Sequence, residues 1–316
     1  MKKTVLIFGI SSFLGSNLAQ LLEKEYRIIG TYYKNPVNYP GMTCYPCDVL
    51  KKDSVNNLTA FIRPDFIIYA VGMNSLSSCM KQPKLADALN TAGAINVCVS
   101  SDRYNAKFIF FSSAYVMGGE DVFYKENETP FPNSIYGNSL ASTEFYVQRS
   151  CLNYLILRCS NLYGLSYLHL HPNWFEIIQM GYIKEQPIMA NDVVQGGFLD
   201  VHLAGKILMQ LLKSNVTNRL LHISSSDYCS RFQFAQAMAQ VFKKDQSLIQ
   251  KHLSEFPLLE GTIKSTNNKD QNSVYSFKLD VSNLEQLLGQ KMPSIEDSLM
   301  YTYKRLSGFT NEKSSL

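Results

Sequence analysis

The segment Thr4-Val-Leu-Ile-Phe-Gly-Ile-Ser-Ser-Phe-Leu-Gly15 decides the fold of this chain. Its first five residues form an apolar run that ends at Gly9, which is typical of a central strand in a parallel sheet. Leucines then recur at helical spacing between residues 13 and 24, so a helix is predicted directly after the turn. A strand, a glycine turn and a helix in this order predict the first unit of a doubly wound α/β sheet.

Similar strand–helix units follow along the first half of the chain. We therefore predict an α/β fold, a Rossmann-type doubly wound parallel sheet with a smaller C-terminal lobe. Residues 1–160 would form the sheet, segments around 190–225 would return to it, and 161–316 would mainly form the intertwined lobe. The predicted strands are Thr4–Phe8, Arg27–Tyr32, Thr43–Cys47, Asp65–Val71, Lys107–Ser112 and Asn153–Cys159, and the predicted helices are Phe13–Lys24, Ser54–Arg63, Pro83–Asp102, Ser134–Cys151, Val201–Lys213 and Arg231–Lys243.

The composition excludes several classes of function. The chain has 316 residues, is 46% hydrophobic and 18% charged, and carries a formal net charge of +4. These values are ordinary for a globular protein of this size. Because no cluster of lysine and arginine accompanies the small positive charge, a nucleic-acid partner is not expected. The apolar runs are too short to span a bilayer, so we expect no membrane insertion and a cytoplasmic location.

Cysteine and histidine spacing does not predict a metal site. Cys44 and Cys47 have C-x-x-C spacing, but the sequence offers no second ligand pair at comparable spacing, and the pair ends a strand instead of opening a helix. His169 and His171 stand two apart without a third ligand. We therefore expect structural roles for these residues and no bound metal.

The turn after the first strand is the predicted cofactor site. In this context a dinucleotide pyrophosphate binds the N–H groups that open the first helix. Ser12 stands where a middle glycine is usual, and its hydroxyl could hydrogen-bond a phosphate. The alternative is an ordinary strand–helix turn. The residues predicted to bind the pyrophosphate are Gly9, Ser11, Ser12, Phe13, Leu14 and Gly15.

The end of the second strand predicts which cofactor is bound. NAD-selective proteins place an acidic residue there, whereas this chain has Thr31-Tyr-Tyr-Lys34. Lys34 could pair with a 2′-phosphate and Tyr32 lies beside it, which favours NADP(H) over NAD(H), although Lys34 could equally be a solvated surface lysine. Further along the chain, the predicted adenosine contacts are Asp48, Ala70, Val71 and Gly72.

The order and spacing of these and later motifs resemble the extended short-chain dehydrogenase/reductase superfamily, and within it the dTDP-4-dehydrorhamnose reductase-like group. The matching segments include Pro64-Asp-Phe-Ile-Ile-Tyr-Ala70, Phe111-Ser-Ser-Ala-Tyr-Val116, Ser134-Ile-Tyr-Gly-Asn-Ser139 and Leu157-Arg-Cys-Ser-Asn-Leu-Tyr-Gly164. The resemblance implies that Val49 and Asn90 belong to the cofactor site. It also implies that the C-terminal lobe binds a nucleotide-linked sugar.

The resemblance assigns roles to individual residues. Ser113 matches the hydroxyl that orients the substrate oxygen, and Tyr136 matches the general acid, which also contacts the cofactor. Asn161 and Trp174, together with Ser113, are implied to contact substrate; packing between the lobes is the alternative for Trp174. The family places a lysine four residues after the tyrosine to lower its pKa and to hold the nicotinamide ribose. Here that position is Leu140, and Ala114 replaces a usual aspartate.

These departures leave three functions open. The first is an NADP(H)-dependent oxidoreductase that reduces a keto group on a nucleotide-linked sugar. The second is a non-catalytic cofactor-binding regulatory or accessory protein, and the third is a sugar-nucleotide epimerase or dehydratase. Asn138 projects from another face of the helix, while Lys125 could swing inward to replace the missing charge. The resemblance also implies that the chain can form a homodimer, through helices near 85–102 and 134–150.

Overall fold

The computed structural model describes residues 2–34, 36–167, 172–252 and 275–313. His169 and His171 lie outside the described residues. The strands are β1 (Thr4–Phe8), β2 (Arg27–Tyr32), β3 (Thr43–Pro46), β4 (Phe66–Tyr69), β5 (Lys107–Ser113), β6 (Phe123–Tyr124), β7 (Tyr154–Cys159), β8 (Asn161–Tyr163), β9 (Ile188–Asn191), β10 (Val194–Gly196), β11 (Phe198–Asp200), β12 (Arg219–Ile223), β13 (Cys229–Ser230), β14 (Ile249–His252) and β15 (Tyr275–Leu279).

The helices pack against both faces of the main sheet and build the second lobe. They are α1 (Phe13–Leu22), α2 (Lys52–Ile62), α3 (Leu76–Lys81), α4 (Pro83–Asp87), α5 (Ala94–Arg103), α6 (Ile135–Ser150), α7 (Trp174–Lys184), α8 (Val201–Lys213), α9 (Arg231–Phe242), α10 (Ser282–Leu288) and α11 (Ile295–Lys313). No helix within these described segments is long and apolar enough to cross a membrane.

Seven parallel strands form the main sheet, in the order β12-β7-β5-β4-β1-β2-β3. The predicted α/β Rossmann-type fold is confirmed. The chain runs outward from β1 to β3, then returns to the other side of β1 and runs outward again through β4. In such sheets, ligands bind at the carboxyl ends of the strands, where this reversal opens a crevice. The crevice here lies beyond Phe8 and Tyr69.

Two apolar cores hold helices on opposite faces of this sheet. On one face, Val5 and Ile7 pack with Leu18 of α1 and Leu208 of α8. On the other face, Leu6 and Phe8 pack with side chains of α5 and α6, among them Val97 and Val147. Because neighbouring residues of a strand point to opposite faces, a strand covered on both sides must be apolar throughout. This explains the uninterrupted apolar run of β1.

A third core, rich in aromatic side chains, builds the second lobe. Tyr163, Phe175, Phe198 and Phe234 are buried together there. Phe198 and Phe234 stack with ring centroids 4.5 Å apart. The chain leaves the main sheet after β7, returns for α8 and β12, and leaves again at β13. The division of the chain at residue 160 stays a prediction.

The helix predicted over Pro83–Asp102 is not continuous. A π-helical turn, Ala88–Gly93, separates α4 from α5. The Tyr69 hydroxyl donates a hydrogen bond to the Leu89 carbonyl at 2.5 Å. This bond joins the π turn to β4, and π turns often mark functional sites. The sequence prediction missed the turn because its cause is a contact with a distant strand.

A buried ion pair ties α6 to the main sheet. Arg158 of β7 is 1% exposed and Glu144 of α6 is fully buried, and Arg158 Nη2 lies 2.7 Å from Glu144 Oε2. Ser112 of β5 donates to the same carboxylate at 2.5 Å. His222 of β12 completes the group; burial, and secondly the charge of Arg158, lower the pKa of His222 to about 3, so it stays neutral. Arg158 therefore belongs to a buried structural network and does not line the cleft.

The Glu144–Arg158 pair predicts a large loss of stability on removal of one partner. Arg158→Met would leave a buried carboxylate without a counter-charge, which costs about 3–5 kcal/mol. Denaturant unfolding followed by circular dichroism measures the change. The matched control is Lys213→Met, which breaks a pair with Glu25 whose partners are 51% and 48% exposed. That variant should lose less than about 1 kcal/mol, and equal losses in the two variants would contradict the prediction.

Candidate active site

A cleft of about 270 Å³ lies at the carboxyl ends of β1, β4, β5 and β7. It opens between the main sheet and the second lobe. It brings together residues that are far apart in sequence and that were predicted to bind cofactor, to react, or to bind substrate. These are Ser12, Phe13, Leu14, Ala70, Val71, Gly72, Asn90, Ser113, Tyr136, Asn161 and Trp174.

The turn between β1 and α1 is closely packed against β4. Gly9 has φ +85°, and a Cβ on it would lie 2.8 Å from the Ala70 carbonyl oxygen. A Cβ on Gly15 would lie 2.2 Å from the Gly9 carbonyl oxygen. Ser12 is the N-cap of α1, and its hydroxyl accepts a hydrogen bond from Gly15 N at 2.9 Å. The hydroxyl proton of Ser12 is still available for donation to a bound anion at this helix start.

The predicted contacts on the adenosine side lie beyond the cleft lining. Lys34 is exposed, just past the end of β2, with its Nζ 5.3 Å from the Tyr33 ring centroid. Tyr32 ends β2, and Asp48 accepts from Leu50 N at 3.0 Å after β3. Val49 is buried and packs near Gly93. Ser11, Gly9 and Gly15 also lie outside the lining of the cleft. The structure therefore places all of the residues in this paragraph at the same edge of the sheet, but not in the cleft.

Asn90 lines the cleft but its amide group is engaged within the protein. Its Oδ1 accepts from Met73 N at 2.8 Å, and its Nδ2 donates to Met73 O and to Ser139 Oγ, both at 3.0 Å. The side chain therefore joins the segment after β4 to the helix that carries Tyr136. It shapes the cleft wall.

Ser113 and Tyr136 form the polar centre of the cleft. Ser113 ends β5, Tyr136 lies in the first turn of α6, and both side chains line the cleft. Burial raises the pKa of Tyr136 well above its ordinary value of 10, and the nearby hydroxyl of Ser113 opposes this only in part. The start of α6 fits closely, because a Cβ on Gly137 would lie 1.9 Å from the Tyr115 carbonyl oxygen. The phenol is therefore held in place and protonated.

Among the described residues that line the cleft, no lysine takes the place of the one that the resemblance implies beside Tyr136. Leu140 is 5% exposed, lines the cleft one helical turn after Tyr136, and packs in an apolar core that includes Ala114. Asn138 is exposed on another face of α6. Lys125 is exposed and lines a separate surface depression together with Glu126 and Asp280. Lys125, the residue that the sequence offered as a substitute, does not line the cleft.

The substrate side of the cleft contains one residue that sequence reasoning missed. Trp174 is partly buried: it packs edge-on against Phe198 and Phe234 and also lines the cleft, so both interpretations of this residue have support. Asn161 donates to the Gly197 carbonyl at 3.0 Å. Arg231, the first residue of α9, lines the cleft 5.2 Å from the Trp174 ring centroid. Only the folding of α9 beside α7 could reveal it.

Comparisons with known proteins agree with the fold. A family model described as the RmlD substrate binding domain matches residues 1–307. The "Probable low-salt glycan biosynthesis reductase Agl14" of Haloferax volcanii is 26% identical over 308 residues, 93% of this chain and 95% of that protein. The "Methionine adenosyltransferase 2 subunit beta" of Xenopus laevis is 24% identical over 299 residues, covering 92% and 84%.

Among solved structures, the fold resembles that of a dTDP-4-dehydrorhamnose reductase from Bacillus anthracis in complex with NADP. The TM-score is 0.78 at 24% identity, over 96% of this chain and all of that one. At this identity the likeness establishes the fold alone.

The surroundings of Tyr136 predict an unusual titration. Because burial raises the pKa of Tyr136 and no cation lowers it, the phenol should stay protonated past pH 10. The difference in phenolate absorbance between wild type and Tyr136→Phe measures this directly. Leu140→Lys should move the titration of Tyr136 to lower pH, while the control Leu140→Met should not. Ionisation of Tyr136 near neutral pH in the wild type would contradict the prediction.

Proposed function

This chain belongs to the RmlD substrate binding domain family, and from that premise we propose that it is an NADP(H)-dependent reductase of a keto group on a nucleotide-linked sugar. One observation carries the proposal: Ser113, Tyr136 and the Ser12 turn line a single cleft. An acid–hydroxyl pair beside a dinucleotide turn is the arrangement that carbonyl reduction needs.

The residues of the β1–α1 turn fit a dinucleotide. The two glycines allow backbone approach, and the N–H groups at the start of α1 are oriented toward the cleft edge where a pyrophosphate would bind. When bound, the reduced nicotinamide supplies the hydride. Val71 and Leu140 add apolar surface to the same cleft, which would limit access of water to the reacting carbon.

Tyr136 and Ser113 perform the acid part of the proposed reaction. Ser113 donates a hydrogen bond that orients the substrate carbonyl oxygen, and Tyr136 gives its proton to that oxygen as negative charge develops on it. A general acid must begin protonated, and the raised pKa of Tyr136 meets this requirement. The reverse reaction needs a phenolate, which burial disfavours and which Leu140 does nothing to stabilise. The site is therefore suited to reduction over alcohol oxidation.

The choice of NADP(H) over NAD(H) rests on charge at the end of β2. The exposed cation Lys34 stands there, and no acidic residue occupies Thr31-Tyr-Tyr-Lys34 to hold ribose hydroxyls. An exposed lysine close to the ribose can pair with a 2′-phosphate.

A non-catalytic accessory protein is the second candidate. Leu140 favours it, because the cleft lacks the lysine that drives the usual chemistry, and a relative covering most of this chain is named as a subunit of methionine adenosyltransferase.

Association into a homodimer also stays a prediction. Val99 of α5 and Phe145 of α6 are 44% and 62% exposed on the helices that the resemblance implicates.

The proposed chemistry predicts opposite effects of two substitutions. Tyr136→Phe should lower the rate of NADPH oxidation with keto-sugar nucleotides by about 10²–10⁴-fold, because the proton donor is lost. Leu140→Lys should accelerate the reverse oxidation of the alcohol more than the reduction, with Leu140→Met as the size-matched control. If no keto-sugar nucleotide supports turnover and Tyr136→Phe changes nothing, the accessory candidate replaces the reductase.

The cofactor preference predicts a selective loss of affinity. Lys34→Gln should weaken NADPH binding about tenfold, through loss of a charged phosphate contact, and leave NADH binding unchanged. Fluorescence titration of the bound dihydronicotinamide measures both affinities. Lys84→Gln, an exposed lysine of α4, serves as the control. Equal effects of Lys34→Gln on the two cofactors would show that Lys34 does not read the 2′-phosphate.

A further inference from the structure

The charge of the cleft lining is unusual for a site expected to use a lysine. Among the described residues that line it, Arg231 is the only one with a charged side chain; the others are apolar, hydroxylic or amide-bearing. An arginine without a neighbouring acid in a partly apolar cleft attracts anions, because the low local dielectric strengthens its field. The charged side chain of the cleft lining therefore lies on α9, whereas the resemblance implies one on α6.

Arg231 is held in place by stacking, and no described residue accepts a hydrogen bond from its guanidinium. Its guanidinium lies over the Trp174 ring, with 5.2 Å from Cζ to the ring centroid. Stacking uses the face of the guanidinium and leaves the N–H groups at its edge for a planar partner. Within the described ranges no carboxylate pairs with Arg231. Asp192, which accepts from the adjacent Ser230, is instead paired with Lys251 at 2.7 Å.

The location of Arg231 assigns it to the substrate half of the cleft. The Ser12 turn, where the cofactor pyrophosphate is expected, belongs to the main sheet, whereas Arg231 and Trp174 open α9 and α7 of the second lobe. The Tyr115 ring contacts the Tyr136 ring, with centroids 6.0 Å apart, and the charge of Arg231 acts on Tyr115. A ligand that reaches Tyr136 from this lobe therefore passes close to Arg231.

Resting on the proposed function, we propose that Arg231, positioned by Trp174, is the residue that selects diphosphate-linked substrates over free sugars. Its guanidinium would form paired hydrogen bonds with the diphosphate of the nucleotide sugar, the partner that matches its geometry. Because Leu140 replaces the lysine, no lysine lies beside Tyr136 in the cleft lining. The charged residue of the cleft lining, Arg231, would bind substrate instead. Arg231 is thus a specificity residue and not a proton donor.

Calorimetric titration with the nucleoside diphosphates UDP and dTDP tests the assignment. Arg231→Gln should weaken their binding at least about tenfold. Arg231→Lys keeps the charge but loses the paired hydrogen-bond geometry, so its affinity should lie between those of the wild type and Arg231→Gln. The matched control is Arg149→Gln on the outer side of α6, where Arg149 stacks on exposed Phe145 at 5.0 Å. That control should leave both affinities unchanged.

Two further measurements identify the source of the phosphate and the position of the ligand. NADPH affinity should be the same in wild type and Arg231→Gln; a tenfold loss there would assign Arg231 to the cofactor and overturn the proposal. Trp174 is the sole tryptophan of the chain, so its fluorescence reports the ligand at Arg231. A signal change with UDP in the wild type but not with inorganic phosphate at equal concentration is expected.

Kinetic measurements distinguish the proposed role of Arg231 from the proposed reductase activity. If the protein turns over a keto-sugar nucleotide, Arg231→Gln should raise the KM for that substrate about tenfold or more, with little change in kcat. Turnover with an unchanged KM would overturn the role of Arg231 and leave the reductase standing. If turnover is absent but UDP binding still depends on Arg231, the reductase fails and the diphosphate site stands.

Discussion

The buried ion pair between Glu144 and Arg158 holds the reactive helix on the sheet. It joins α6 to β7, and through Ser112 it also joins α6 to β5, so three elements share one carboxylate. An unpaired charge buried at this depth would strongly destabilise the fold. The position of α6 that keeps the two charges paired is therefore strongly favoured. Ser113 follows Ser112 directly, and Tyr136 lies two helical turns before Glu144. The pair thus fixes the helix that carries Tyr136 beside the strand that ends at Ser113.

Around this fixed centre, the cleft combines two lobes with different physical character. The sheet side presents a glycine turn and the start of a helix, which are suited to phosphates. The opposite side presents Trp174 with Arg231 stacked upon it, on a lobe whose core is largely aromatic. Between them, Tyr136 lies in apolar surroundings that keep it protonated. The proposed function assigns the binding of charged groups to the two ends of the cleft and the acid to its middle.

The replacement of a lysine by Leu140 has a consequence that follows from burial. Leu140 is packed into the core beneath the cleft, so its neighbours are complementary to an apolar side chain. A lysine there would lower the pKa of Tyr136 and favour both directions of hydride transfer. Leucine leaves reduction as the supported direction, because a protonated phenol is the starting state that reduction requires.

The sequence by itself determined the sheet and the residues at its carboxyl edge. The apolar run of β1 and the Gly9–Gly15 turn are local patterns, and local periodicity and spacing are visible in one dimension. The resemblance to a known family identified Ser113 and Tyr136. Only the tertiary structure decided three other features. The π turn over Ala88–Gly93 arises from Tyr69, and the isolation of Lys125 from the cleft depends on packing around β12. Arg231 meets Trp174 across 57 residues because two helix starts converge, and no sequence pattern encodes contacts between elements at that separation.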